Sequence, residues 1–204
     1  MTIDTDSLDA LGHRYDLLQH SFYQRWVAGG LTREELDDYA GQYAHVVAGL
    51  PRWLEAAADA DPNHAAALRA HAREEAGHVA MWDEFARALR PDRDVDAPNR
   101  ATAELLARCN RLAVEGHGAA VSWALEAQSP DVSATKLTGL AEHYAIDASN
   151  GGRYFALHAE RDIEHREELA GVIDGDAGAS AAAEQVLAGL WDLLTSVDRT
   201  VPAS

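Results

Sequence analysis

Residues 18–58 read LQHSFYQRWVAGGLTREELDDYAGQYAHVVAGLPRWLEAAA, and the punctuation in this stretch decides the fold. Ala28-Gly29-Gly30 stops a first helix that spans 5–28, because glycine is a natural helix terminus. Thr32 and Glu35 form a T-x-x-E capping box that opens a second helix over 33–60. Pro51 has no amide hydrogen to donate and should kink or break that helix.

The same reading extends outward. Asp61-Pro62 starts a third helix, 62–90, which ends before Pro91 in the polar stretch PDRDVDAPN. A long helix follows over 99–128 and is stopped by Ser129-Pro130, and Asp131 or Ser133 could cap a short helix over 132–146. Ser149-Asn150-Gly151-Gly152 is a loop before a helix over 153–173, and GDAGAS separates a last helix, 179–199. The chain shows no internal repeat. The expectation is an all-α, seven-helix bundle forming a single domain over 1–204, with interior sites available on facing helices.

Composition agrees with this. Ala and Leu lead the 204 residues and Arg and Glu are frequent, as in helical proteins, and the length suits one domain with a substantial core. The formal charge of −17 argues against a nucleic-acid or anionic-membrane surface. No apolar run approaches the ~20 residues of a membrane span. The opening MTIDTDSLDA is acidic and has no apolar signal-peptide core. The one cysteine, Cys109, cannot form an internal disulfide, so a reducing cytoplasm is the default compartment. Sixteen arginines accompany a single lysine, Lys136, which singles out the one primary amine on a side chain.

Three segments carry chemistry. In HAERDIEH (158–165), His158, Asp162 and His165 fall within about 60° of one another around a helix axis. They could be ligands aimed inward or part of an exposed charged helix, since Arg161, Glu164, Arg166, Glu167 and Glu168 surround them. In HAREEAGHVAMW (71–82), either Glu74 or Glu75 could share a face with His78, and His71 lies one heptad before it. Carboxylate with imidazole suits iron or manganese, whereas the absence of a thiolate set argues against structural zinc. The plain alternative is an acidic patch with an incidental histidine. In VSWALEAQSP (121–130), Glu126 sits among apolar residues near a helix end. A buried carboxylate needs a cation, a metal or a proton, unless Glu126 simply points to solvent. Two metals with about three protein ligands each would keep positions open for dioxygen. Only one Glu-x-x-His occurs, Glu75 to His78, whereas ferritin-like sites need two, so the bundle is not read as ferritin-like.

The stretch 18–58 resembles the opening of TenA/PqqC-like proteins of the haem-oxygenase fold. EEAGHVAMW, WALEAQSP and HAERDIEH resemble segments of the haem-oxygenase-like dimetal oxidases within that superfamily, and most of all the CADD-type 4-aminobenzoate synthases. The resemblance implies Glu74, His78, Glu126, His158, Asp162 and His165 as ligands of two metal ions, iron and/or manganese. The 32-residue interval from Glu126 to His158 agrees with that subgroup. Because Glu-Glu-x-Gly stands closer to the histidine than in the family, Glu75 remains the alternative to Glu74.

The resemblance further implies an oxygen-dependent dimetal oxidase with dioxygen as cosubstrate and an external reductant. Such an enzyme would form 4-aminobenzoate, for folate biosynthesis, from its own Tyr23, with Lys136 as amino donor. An arginine is a poor substitute there, since a guanidinium stays protonated. Tyr39, Tyr43 and Tyr154 lie in other matched segments and could line the pocket or relay a radical. Leu125 stands where the subgroup often has a tyrosine.

Other readings stay open at this level. The dimetal centre could act on an exogenous amino or fatty acid, which would need no Tyr23 and Lys136 pair. A non-enzymatic metal-binding or interaction protein, alone, with an unknown protein partner or as a homodimer, is compatible with the acidic surface. Thiaminase-like hydrolysis would need a cysteine nucleophile, and Cys109 in ARCNRLA is far from any matched motif. Haem binding at His20, near the usual axial-ligand position, is opposed by the negative charge.

Overall fold

The capping box read at Thr32 is present. Thr32 Oγ1 accepts the Glu35 amide at 3.1 Å, and the Glu35 carboxylate accepts the Thr32 amide at 2.9 Å. From it helix α3 (Arg33–Ala60) runs on through Pro51 as one helix, so the break that the proline could have made is absent. The computed structural model describes residues 5–92, 96–174, 176 and 178–200. Arg93, Asp94 and Val95 of the polar loop, and Gly175 and Ala177 of GDAGAS, lie outside the described residues.

All seven helical stretches occur, and two of them are interrupted. The first divides into α1 (Thr5–Arg14) and α2 (Ser21–Val27), joined by a 3-10 turn at Leu17–Gln19. Side chains make the break: Asp16 accepts the Leu18 amide and His20 Nδ1 accepts the Phe22 amide, each capping a new helical start. α4 (Ala65–Leu89) begins three residues later than predicted, because Asp61 holds a turn by accepting from Asn63 and His64.

The predicted 99–128 helix divides into α5 (Arg100–Leu112) and α6 (Gly118–Glu126) around a π-helical turn at Ala113–His117, where Gly116 has φ +95°. α7 (Ser129–Tyr144) starts before the expected 132, with Pro130 in its first turn, where a missing amide hydrogen leaves nothing unsatisfied. Neither Asp131 nor Ser133 caps it. α8 (Arg153–Ile173) and α9 (Ala179–Val197) complete the bundle.

α6 is the central rod, buried at every residue from Gly118 to Glu126 and packed against α3, α8 and α9. Its run GAAVSWALE is apolar all round, as a helix enclosed on every side must be. Gly118 allows the closest approach: a Cβ there would lie 2.6 Å from the Trp53 carbonyl oxygen of α3. A second layer of buried rings, Phe22, Tyr23, Trp26, Tyr39, Trp82 and Phe155, joins α2, α3, α4 and α8. At one end Arg25 pairs with Glu35 (2.6 Å) and Asp198 (2.8 Å), tying α2, α3 and the end of α9 together. No helix among the described residues is long and apolar enough to cross a membrane.

Candidate metal centre

Helices α4, α6 and α8 carry the buried histidines and carboxylates that meet at the centre of the bundle. On α4, His71, Glu75 and His78 stand at i, i+4 and i+7 and are all buried. On α8, His158, Asp162 and His165 stand at the same spacing and are all buried. The two helices meet antiparallel. The His71 ring lies 3.6 Å from that of His165, and His78 lies 4.8 Å from His158. Glu126, at the end of α6, enters the gap between them, with Oε1 3.0 Å from His71 Nε2 and Oε2 3.9 Å from His165 Nδ1.

Ligand-type atoms converge in two groups, each with all members within 4.8 Å of one another. One contains His71, Glu75, Glu126 and His165, and the other Glu75, His78 and His158. Glu75 belongs to both, with Oε1 3.0 Å from His78 Nδ1 and 3.9 Å from His71 Nε2.

Of the residues expected from the sequence, His78, Glu126, His158 and His165 are in these groups. Asp162 lies one step behind them: both its oxygens are 2.9 Å from His158 Nδ1, which leaves His158 Nε2 directed at the cluster. Glu74 is the departure. Its side chain is 32% exposed against 1% for Glu75, and Arg161 donates to both its oxygens at 2.7 and 3.0 Å. A helix turns about 100° per residue, so adjacent glutamates cannot both face inward. His71 and Glu75 are the residues that sequence reasoning underweighted. The signal was present: HAREEAGH (71–78) repeats the His-x-x-x-acid-x-x-His spacing of HAERDIEH, a short internal repeat that a domain-scale search passes over.

Electrostatics define what the cluster can hold. Eight buried side-chain atoms here have no hydrogen-bond partner: His71 Nε2, Glu75 Oε1, His78 Nδ1, both oxygens of Glu126, His158 Nε2 and both nitrogens of His165. Leaving even one such atom unsatisfied costs about 1–3 kcal/mol, more for a charged group. Burial, then the neighbouring Asp162 and Glu75, pushes the Glu126 carboxyl well above the usual range. Burial acts the same way on Asp162, but the hydrogen bond from His158 and the nearby His165 imidazole outweigh it and hold its carboxyl well below normal. Arg161 holds the outer Glu74 down at about 2. Two carboxylates and four imidazoles with unpartnered lone pairs suit divalent cations, and a thiolate-free N/O set suits iron or manganese. The residues therefore fit a pair of metal ions.

Lys136, Tyr23 and Tyr39 form a second group nearby. Lys136 Nζ donates to Tyr39 Oη at 2.7 Å, and Tyr39 Oη is 3.2 Å from Tyr23 Oη. The amine also lies 5.1 to 5.4 Å from the ring centres of Tyr23, Tyr39, Tyr43 and Phe155. No carboxylate pairs with it among the described residues, and burial lowers its pKa to about 7. Burial and the adjacent Tyr43 raise the Tyr23 phenol far above its ordinary value, so it stays protonated. One cavity is lined by Tyr23, Tyr43, Leu125, Lys136 and Tyr154, and a second by Tyr43, Leu125, Glu126, Tyr154 and His158. Tyr43, Leu125 and Tyr154 are walls of both, and the Tyr154 ring lies 4.0 Å from that of His158.

Two residues weighed for other chemistry are otherwise engaged. His20 Nδ1 accepts the Phe22 amide, so Nε2 carries the proton and donates to Thr195 Oγ1 at 3.0 Å, which leaves no nitrogen for a haem iron. Cys109 is fully buried on α5, lines neither cavity, and burial pushes its thiol up to about 12, which suits packing and not nucleophilic attack.

Solved structures share this architecture. A domain with a heme oxygenase-like fold from Shewanella denitrificans superposes with TM-score 0.78 at 16% identity, over 97% of this chain and 93% of that one. A TenA homologue from Pseudomonas syringae gives 0.75 at 15%, over 96% and 90%. Fold and site together define an all-α protein of the haem-oxygenase-like class with a buried imidazole–carboxylate cluster. Residues 37–197 match the family described as iron-containing redox enzymes, and the chain belongs to that family. It is 31% identical to the 4-aminobenzoate synthase of Chlamydia pneumoniae over 226 aligned positions, covering 100% of this chain and 99% of that one. It is 30% identical to the 4-aminobenzoate synthase of Nitrosomonas europaea, covering 93% and 89%.

Proposed function

We propose that this chain is an oxygen-dependent dimetal enzyme that makes 4-aminobenzoate from its own Tyr23, with the nitrogen supplied by Lys136. The observation that carries the reading is the placement of the chain's one lysine, buried, without a counter-charge, and 5.1 Å from the Tyr23 ring. The similarity to two 4-aminobenzoate synthases along nearly their whole length supports it.

The ligands would be His78, Glu126, His158 and His165, with Glu75 in place of Glu74 and shared between the two positions. Asp162 would hold His158 by its Nδ1. Iron or manganese bound there would supply the redox chemistry with dioxygen and an external reductant. The protein's other residues supply the rest. The tyrosine side chain already contains the six-membered ring and one attached carbon; 4-aminobenzoate requires an amino group where the hydroxyl stands and a carboxylate at the Cβ carbon. Lys136, with a pKa near 7, has a substantial neutral fraction at neutral pH, and only the neutral amine has a lone pair to form a bond to carbon. Tyr39 holds both reacting groups, through hydrogen-bond distances to Lys136 and Tyr23. Leu17, Leu190, Leu193 and Leu194 close the cavity with apolar side chains that exclude bulk water. Each chain would react once.

The test uses protein carrying ring-labelled tyrosine, loaded with iron or manganese, and supplied with reductant and dioxygen. Label should appear in 4-aminobenzoate, with a matching loss in intact-protein mass. Tyr23→Phe and Lys136→Arg chains should yield none. Unlabelled product, or normal yield from either variant, would sink the self-consuming route.

A further inference from the structure

We propose that His71 is itself a metal ligand, and that by adding a fourth side chain to one metal position it leaves the other as the more open of the two, where a diatomic ligand binds. The inference rests on the dimetal reading above and goes beyond it. The group His71, Glu75, Glu126 and His165 offers four ligand atoms, whereas Glu75, His78 and His158 offer three. Iron and manganese take up to about six ligands, so at equal coordination number a position held by three side chains keeps one more place free than a position held by four. His71 therefore makes the two positions unequal.

The cavity beside the cluster borders both positions: it is lined by Glu126 of the four-ligand group and His158 of the three-ligand group. The ligand count therefore carries the difference between them, and at the three-ligand position the Tyr154 ring lies 4.0 Å from that of His158.

His71 has the marks of a ligand and not of a packing residue. Its Nε2 is buried without a hydrogen-bond partner although Glu126 Oε1 is only 3.0 Å away, so the two atoms face a common point without an aligned bond. Its ring is 3.6 Å from His165, a separation that two imidazoles sharing one cation would explain. Its place at the start of the α4 pattern matches that of His158 on α8, so each helix gives one imidazole to each position.

Cobalt(II) titration of the full metal-free chain, followed by visible absorption, tests the assignment. Wild type should take up two equivalents. His71→Ala should keep one and bind the second about tenfold or more weaker, with recovery when imidazole is added to fill the space. His71→Leu, which fills that space without a donor, should lose the second equivalent and gain nothing from imidazole. Far-UV circular dichroism identifies the folded preparations. With ferrous ion, nitric oxide should bind wild type and His71→Ala alike, and fail to bind His78→Ala.

Uptake of only one equivalent by wild type would defeat the dimetal reading, and the proposal with it. Two equivalents in wild type and two of unchanged affinity in His71→Leu would remove His71 alone. Loss of nitric oxide binding in His71→Ala, with one metal retained, would reverse which position is open.

Discussion

Residues 71–78 of α4 and 158–165 of α8 present the same pattern to each other, and they differ at the acid in the middle. Both place histidines at the first and eighth residues, and in the antiparallel pair the first imidazole of each lies beside the last of the other. Even the fourth residues correspond, because Glu74 and Arg161 form the ion pair at the edge of the interface. At the fifth residue α4 has glutamate and α8 has aspartate. The longer Glu75 reaches across to both ligand groups, whereas Asp162 turns back onto His158 of its own helix. One methylene separates a carboxylate common to both groups from one turned onto a single imidazole.

The largest expected effect follows from that methylene. Glu75→Asp should withdraw the shared carboxylate, so metal analysis should find about one equivalent, and product yield should fall by roughly 100-fold or more. Retention of both ions would remove Glu75 from its bridging role.

Lys136 sharpens the contrast from outside the two motifs. The acids of α4 and α8 face imidazoles, but this buried amine faces only aromatic rings and a phenol. Burial takes its pKa from 10.5 to about 7, so the unfolded chain binds more protons between those values and stability rises with pH across that window. Lys136→Met should accordingly stabilise the metal-free protein below pH 7 by up to about 5 kcal/mol. That gain should shrink toward pH 10.5, as followed by denaturant unfolding at several pH values. A pH-independent gain would mean that shape, not charge, governs the site.

Asp162→Asn keeps the shape of the α8 acid and weakens its hold on His158. Metal affinity should drop about 10- to 100-fold at one position, measured by competition with a chelator. An effect as large as that of Glu75→Asp would mean that the two acids are equivalent after all. The smallest effect belongs to the edge pair. Glu74 and Arg161 are about one-third exposed, so Glu74→Ala or Arg161→Ala should each cost no more than about 1 kcal/mol of stability. The exchanged pair, Glu74→Arg with Arg161→Glu, should recover most of it. Loss of a metal ion on Glu74→Ala would restore Glu74 to the ligand set.

Much of the fold was legible in local signals. The Thr32–Glu35 box, Gly29-Gly30 and Gly151-Gly152 delimit helices where they were read. The break near residue 16 was hidden because its caps are Asp16 and His20, whose role depends on which way each side chain turns. The π-turn at 113–117 was passed over although Gly116 and Gly118 weaken the helix there; the phase shift is fixed only once Gly118 meets Trp53. Glu126 was undecided between solvent and interior until that central packing buried it. In the site, spacing alone could not separate Glu74 from Glu75, since either can share a face with His78.

By itself, then, the sequence determined the helical class, the carriers of the ligand chemistry on three helices, and the singularity of Lys136 as the one lysine; Tyr23, one of six tyrosines, was singled out only by the family resemblance. Those properties depend on residue identity and on a period of 3.6, both of which are local. Only the tertiary structure decided which acid faces inward, that His71 joins the cluster, and that the lysine and tyrosine share a cavity beside it. Those facts depend on the angle and register at which α4, α6, α7 and α8 pack, which a helix does not specify about its neighbours.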